Sequence, residues 1–155
     1  MANAFINIQN YGEAFKCIKT AMSADMLNTK YLFTLATIHY KKNEIQKALN
    51  TIKSITELDP TDEEAWMFYS EILLEQSQID DAIKALLKAM GHIEESSVLN
   101  YRIGSYYMLK GNEKLSFKYF EKGLKLNYQD RQIFFEYVPD ASLNPKIIEL
   151  LSLYN

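Results

Sequence analysis

Cysteine is almost absent from this chain, with Cys17 standing alone among 155 residues. It has no second thiol to pair with, so a disulfide framework is excluded and a reducing compartment is the natural setting. Histidine is nearly as scarce: His39 and His92 cannot build a His-rich metal site, and no metal or cofactor is expected. With only 5 Gly and 3 Pro, few positions can break or turn the chain, which favours helices. No apolar run approaches the ~18 residues of a membrane span. The opening MANAFINIQNYGEAFKCIK also lacks the basic start, apolar core and small-residue cleavage site of an export signal. A soluble cytoplasmic protein is therefore expected. Large net charge is missing too, since 20 acidic residues against 17 basic leave −3. What is present is apolar content: 48% hydrophobic residues in a chain long enough to bury roughly 68–70% of its unfolded surface, which argues against disorder.

The apolar residues recur at a fixed period. Ala14, Ala48, Ala82 and Ser116 are spaced by 34, and the same step links Phe15, Leu49, Ile83 and Phe117. It also links Ile18, Ile52, Leu86 and Phe120, then Ala21, Ile55, Ala89 and Gly123. Upstream, Leu35, Tyr69, Ile103 and Tyr137 form a bulky column; Ala36, Ser70 and Gly104 form a small one from which Val138 departs. Ala48, Ile52 and Ile55 stand at i, i+4, i+7, which is one face of an α-helix. Trp66, Tyr69, Ser70 and Leu73 mark one face of a preceding helix in the same way. Short polar segments, Lys42-Asn43-Glu44, Gln76-Ser77-Gln78 and Lys110-Gly111-Asn112, separate the helices of each pair as tight turns.

On these residues the chain resembles the tetratricopeptide repeat (TPR) family, whose 34-residue unit reads W-x-x-L-G-x-x-Y, then A-x-x-x-F, A and P. Full units fall at 29–62, 63–96 and 97–130. The first carries Leu35, Ala36, Ala48 and Pro60; the second Trp66, Ala82 and Ala89; the third Gly104, Tyr107 and Phe120. His39 replaces the aromatic, Asn100 the Trp, and Glu94 and Tyr128 the Pro. A partial unit at 1–28 precedes them. At 131–155 a first helix from Arg131 to Val138 is stopped by Pro139, and Asn144-Pro145 opens a last helix through Tyr154. The resemblance implies an all-α, right-handed superhelical solenoid of antiparallel helix pairs, about 9–10 helices in all. The last helix, apolar at Ile147, Ile148, Leu150, Leu151, Leu153 and Tyr154, is read as a cap over the third unit. Its surplus apolar surface leaves self-association through terminal helices as the alternative.

Enzyme signatures are missing. There is no phosphate-binding glycine loop, CxxC, HExxH or GxSxG. His39 falls in a packing column, and His92 follows Gly91 at a helix end. Asp80-Asp81 and Glu94-Glu95 lie at helix starts or loops, where acids complement the backbone dipole. Nucleic acid is disfavoured because helical repeats that read RNA need a basic track to neutralise phosphates, whereas 20 acidic side chains here outnumber 17 basic ones. Lys47, Lys53, Lys84, Lys88, Lys114, Lys118, Lys122 and Lys125 fall on second helices, which the resemblance places on a solvated outer face.

The resemblance also implies that first helices line a concave surface. The residues assigned to it include Phe33, Thr37, Tyr40 and Lys41 in the first unit, Glu64, Met67, Phe68, Glu71 and Glu75 in the second, and Tyr101, Arg102, Ser105 and Met108 in the third, continued by Phe135 and Glu136. The family's carboxylate clamp is not among them: its cationic and amide positions hold Phe33, Thr37, Phe68, Val98 and Arg102, of which only Arg102 matches. Instead the row is aromatic and Met-rich with an acidic centre. It suits a protein or peptide ligand, extended or an amphipathic helix, with an apolar anchor and a nearby Lys or Arg. A non-enzymatic protein-interaction module is thus expected, with a client-specific chaperone or adaptor, or the C-terminal segment of a longer TPR protein, as alternatives.

Overall fold

The structure is a computed structural model that describes Gly12, Thr20 and residues 28–154. The expected N-terminal partial repeat, Cys17 included, lies outside the described residues apart from Gly12, Thr20 and Asn28. Among the described residues there are eight α-helices, two 3-10 turns and no strand. They are α1 (Thr29–Lys41), α2 (Ile45–Leu58), α3 (Glu63–Glu75), α4 (Ile79–Ala89), α5 (Ser97–Leu109), α6 (Glu113–Leu126), α7 (Gln132–Phe135) and α8 (Pro145–Tyr154). None of these helices is long and apolar enough to cross a membrane. The chain divides into two compact units, Met1–Gln76 and Ser77–Asn155.

Helix starts follow from capping side chains. Asn28 accepts from the Lys30 N–H (3.1 Å), Asp62 from Ala65 (2.9 Å), Ser96 from Leu99 (3.0 Å) and Asn112 from Leu115 (3.1 Å). Each satisfies an amide that the helix leaves without an internal acceptor. Helix ends follow from backbone geometry. Asn43, Ser77 and Gly111, one per polar segment and 34 residues apart, all take positive φ, at 61°, 61° and 78°. After α1 the Glu44 N–H reaches the His39 carbonyl (2.8 Å) and Asn43 reaches Tyr40 (2.9 Å); after α5, Asn112 reaches Tyr107 and Gly111 reaches Met108, both at 2.9 Å. These paired bonds close each helix with a left-handed residue just past its cap.

In the first unit, α1, α2 and α3 enclose a core of Leu32, Ala36, Ile52, Ile55 and Ala65, flanked by Phe33, Phe68 and Tyr69. Trp66 is buried and donates its indole N–H to the Pro60 carbonyl (2.9 Å), tying the start of α3 to the residues before it. Small residues at fully buried positions, Ala36, Ala48 and Ala65, let the helices approach closely.

The second unit is richer in aromatics. Its core holds Tyr101, Phe120, Leu124, Phe134, Val138, Ile147 and Leu150. Gly123 is required here: a Cβ would lie 2.7 Å from the Tyr101 ring. Tyr101 donates its hydroxyl to the Asn127 carbonyl (2.9 Å), and burial pushes its pKa up. Beyond α6 the structure departs from expectation. In place of one first helix over Arg131 to Val138, a 3-10 turn at Tyr128–Arg131 leads into the single turn of α7, and Pro139 opens a second 3-10 turn to Leu143. The Asn127 side chain accepts from Gln129 N–H (3.0 Å), which starts the winding three residues early. Asn144 caps α8 through the Lys146 N–H (2.9 Å). Ile147 and Leu150 of α8 enter the core, while Ile148 and Leu153 remain 52% and 66% exposed.

Candidate functional site

Residues at i, i+4 and i+7 or i+8 lie above one another on a helix, so Phe33, Thr37, Tyr40 and Lys41 share one face of α1. By the same spacing Glu64, Met67, Phe68 and Glu71 share one face of α3. The two faces enclose a groove of about 410 Å³ lined by these eight side chains, all in the first compact unit. Its floor is aromatic. The Phe68 ring lies 5.6 Å from Phe33 and 5.5 Å from Tyr40, tilted on the first and edge-on to the second. Thr37 turns its hydroxyl back to the Phe33 carbonyl (3.0 Å), so that donor is already engaged within α1.

The polar rim carries two carboxylates, Glu64 and Glu71, and one cation, Lys41. Tyr40 donates its hydroxyl to both Glu75 carboxylate oxygens, at 2.7 and 2.8 Å. That hydrogen bond, with burial and the charges of Glu75 and Glu71, pushes Tyr40 up to about 12. Glu75 therefore braces the tyrosine at the end of the groove and does not line it. Lys41 carries its ammonium 5.7 Å from the Tyr40 ring centroid. Glu64 and Glu71 make no ion pair among the described residues. A cation at ~4 Å from such a carboxylate gains on the order of 1 kcal/mol in water and ~4 kcal/mol where the local dielectric falls to ~20. The groove thus offers an apolar floor beside an uncompensated negative edge.

The expected residues of the third repeat are placed differently. Tyr101 and Ser105 are fully buried and Arg102 is 7% exposed, so these three present no surface to a ligand. For Arg102 the cause is the segment 34 residues on. Arg102 pairs with Glu136 (2.9 Å) and lies over the Tyr137 ring, 4.6 Å from its centroid, while Tyr101 packs against Phe120. Ser105 donates to the Arg102 carbonyl (2.8 Å). Met108 and Phe135 are half-buried against the second core. The one clamp-like residue, Arg102, is thus already held by the chain. Lys41, which falls on the same concave face by the same spacing as Thr37 and Tyr40, also lines the groove. Glu136 and Tyr137 stand one period after Arg102 and Ile103, which is the signal that could have paired them with Arg102.

The histidines lie away from the groove. His39 is 9% exposed with Nδ1 2.6 Å from Glu44 Oε2, a contact that, with Lys47 and Lys42, holds the Glu44 carboxyl down at about 2. His92 is exposed in the turn after α4.

Among protein families, the model described as subunit 3 of the anaphase-promoting complex, cyclosome, matches residues 7–89, and a tetratricopeptide repeat model matches residues 98–130. A TPR repeat-containing protein of Methanocaldococcus jannaschii is 26% identical over 129 residues, covering 82% of this chain. The chain spans 22% of that relative's length. Among solved structures, MamA is similar with a TM-score of 0.71 and 17% identity, covering 98% of this chain and 91% of MamA. PilF of Pseudomonas aeruginosa gives a TM-score of 0.70 with 17% identity, over 99% of this chain and 73% of PilF. YrrB, a TPR protein with an unusual peptide-binding site, gives 0.66 with 21% identity, over 86% of this chain and 69% of its own. At these identities the likeness is one of fold.

Proposed function

The chain belongs to the tetratricopeptide repeat family, and on that premise we propose that it is a non-enzymatic, cytoplasmic protein-interaction module that seats a peptide or amphipathic helix between α1 and α3. The observation that carries this reading is the combination of floor and rim in one groove. Phe33, Phe68 and Met67 offer an apolar bed, and Glu64 and Glu71 stand beside it without cations of their own. A volume of about 410 Å³ falls within the ~300–1,000 Å³ typical of ligand clefts. An apolar anchor would displace water from Phe68, and a Lys or Arg one turn or two residues away would meet Glu71. The fold likeness to YrrB, a TPR protein with an unusual peptide-binding site, supports the class of ligand.

Affinity capture from native lysate provides the test, followed by titration of whatever peptide is recovered. Glu64→Lys together with Glu71→Lys changes only rim positions, so the fold should keep its helicity and melting temperature while capture is lost. Phe68→Ala, the floor variant, should weaken the recovered peptide by about 2 kcal/mol or more if the ring is an anchor site. Undiminished capture by a folded rim variant would overturn the reading.

A further inference from the structure

The lysines of the second helices are not alike. Lys47 pairs with Glu44 (3.3 Å), Lys53 with Glu57 (3.9 Å), Lys84 with Asp81 (2.9 Å) and Lys125 with Glu121 (2.8 Å). Lys114, Lys118 and Lys122 have no carboxylate partner among the described residues, and all three are exposed. They stand at i, i+4 and i+8 of α6, so about 6 Å separates one from the next along a single slowly turning row. Like charges at i, i+4 cost a helix a few tenths of a kcal/mol each. An interleaved Glu, as at Glu121 and Lys125, would remove that cost, so helix stability does not account for the row.

Aromatic rings border it. Tyr119 stacks on Tyr107 of α5, with centroids 5.7 Å apart and planes 16° from parallel. The Lys118 and Lys122 ammonium groups lie 6.0 and 5.4 Å from the Tyr119 centroid. The rings thus hold two of the three cations against α6 and supply apolar surface next to them.

We propose that this row on α6 is a second docking surface, independent of the α1–α3 groove, which receives an acidic polypeptide segment. Charge complementarity selects the occupant. The chain as a whole carries −3, so a polyanion is repelled by the protein at large and can be held only where cations stand together uncompensated. Carboxylates every fourth residue of a helix repeat at the same ~6 Å step as the lysines, and alternate residues of an extended strand at ~6.6–6.8 Å. Nucleic acid fits less well: three cations make a short track, and the Tyr119 ring that could stack a base is already engaged by Tyr107 and both ammonium groups.

Fluorescence anisotropy of a labelled oligo-glutamate peptide with the full chain tests this. The wild type should bind with an affinity that falls as salt rises. Lys114→Gln, Lys118→Gln and Lys122→Gln together should weaken binding about tenfold, since three exposed pairs each contribute a factor of about two. The corresponding triple change to Arg should retain it. A control in which Lys47, Lys53 and Lys84 become Gln removes the same net charge and should stay within about twofold of wild type. No binding by the wild type, or an equal loss in the control, would overturn the site. Tighter binding of oligo-thymidylate or of phosphatidylserine vesicles than of the peptide would overturn the choice of occupant.

Discussion

Replacing Gly111 by Ala isolates the conformational demand of the turn between α5 and α6. Gly111 has φ 78°, and a Cβ built on it meets nothing within 4 Å. Packing therefore contributes nothing to the change, and the whole effect lies in the backbone. An L-residue in this left-handed region costs ~1–2 kcal/mol. Ala recovers ~0.4–1 kcal/mol of that because its unfolded chain has fewer states to lose. The net expectation is a loss of about 1 kcal/mol, a fall of roughly 2–4 °C in melting temperature for a chain of this size. Asn tolerates the conformation better, so Gly111→Asn should lose about half as much. The reciprocal change, Ser77→Gly, should gain about 0.5–1 kcal/mol, since Ser77 holds φ 61° with a Cβ in place. Urea denaturation followed by far-UV circular dichroism, with an unchanged slope, reads all three. A neutral Gly111→Ala, or a loss beyond ~3 kcal/mol, would refute the reasoning: the first would remove the conformational cost, the second would require a contact that the open space excludes.

Two further outcomes follow from the cores and the turn after α1. Gly123→Ala should cost about 1–3 kcal/mol by overpacking, because its methyl would sit 2.7 Å from a Tyr101 ring fixed by its hydrogen bond to Asn127; denaturant midpoints check this, and an unchanged midpoint would mean the ring has room to yield. Glu44 is held down at about 2 against an ordinary 4.5, chiefly by His39. A depressed carboxyl stabilises the fold above its unfolded pKa, and the benefit is lost as pH falls from about 4.5 towards 2. In acid titrations of stability, Glu44→Gln should therefore lie below wild type at neutral pH and converge with it near the acid end; parallel curves would contradict the assignment.

The period of 34 made the helices legible because each column asks for a size or a polarity that packing enforces, as at Ala36, Ile52 and Ile55. The groove in the first unit was legible for the same reason: Phe33, Thr37 and Tyr40 share a face by helix geometry alone, as do Glu64, Met67, Phe68 and Glu71. The third repeat was not, because the same positional rule placed Tyr101, Arg102 and Ser105 on a surface. Whether a face is open depends on what the following segment lays over it, and Glu136 and Tyr137 cover Arg102 from one period further on. The shortened α7 was missed because the Asn127 cap competes with regular helix over the residues that should have begun it.

The pairing of Arg102 with Glu136 joins the sixth positions of two successive repeats. The corresponding residues earlier in the chain are Thr34 and Phe68, neither of which could neutralise a buried guanidinium. The repeats are consequently not interchangeable parts: moving the third next to any neighbour but the last would strand a charge in the interior, at a cost of several kcal/mol. The repeats thus have a reading order, and shuffling, duplication or excision by whole periods would be tolerated only where it leaves that adjacency intact.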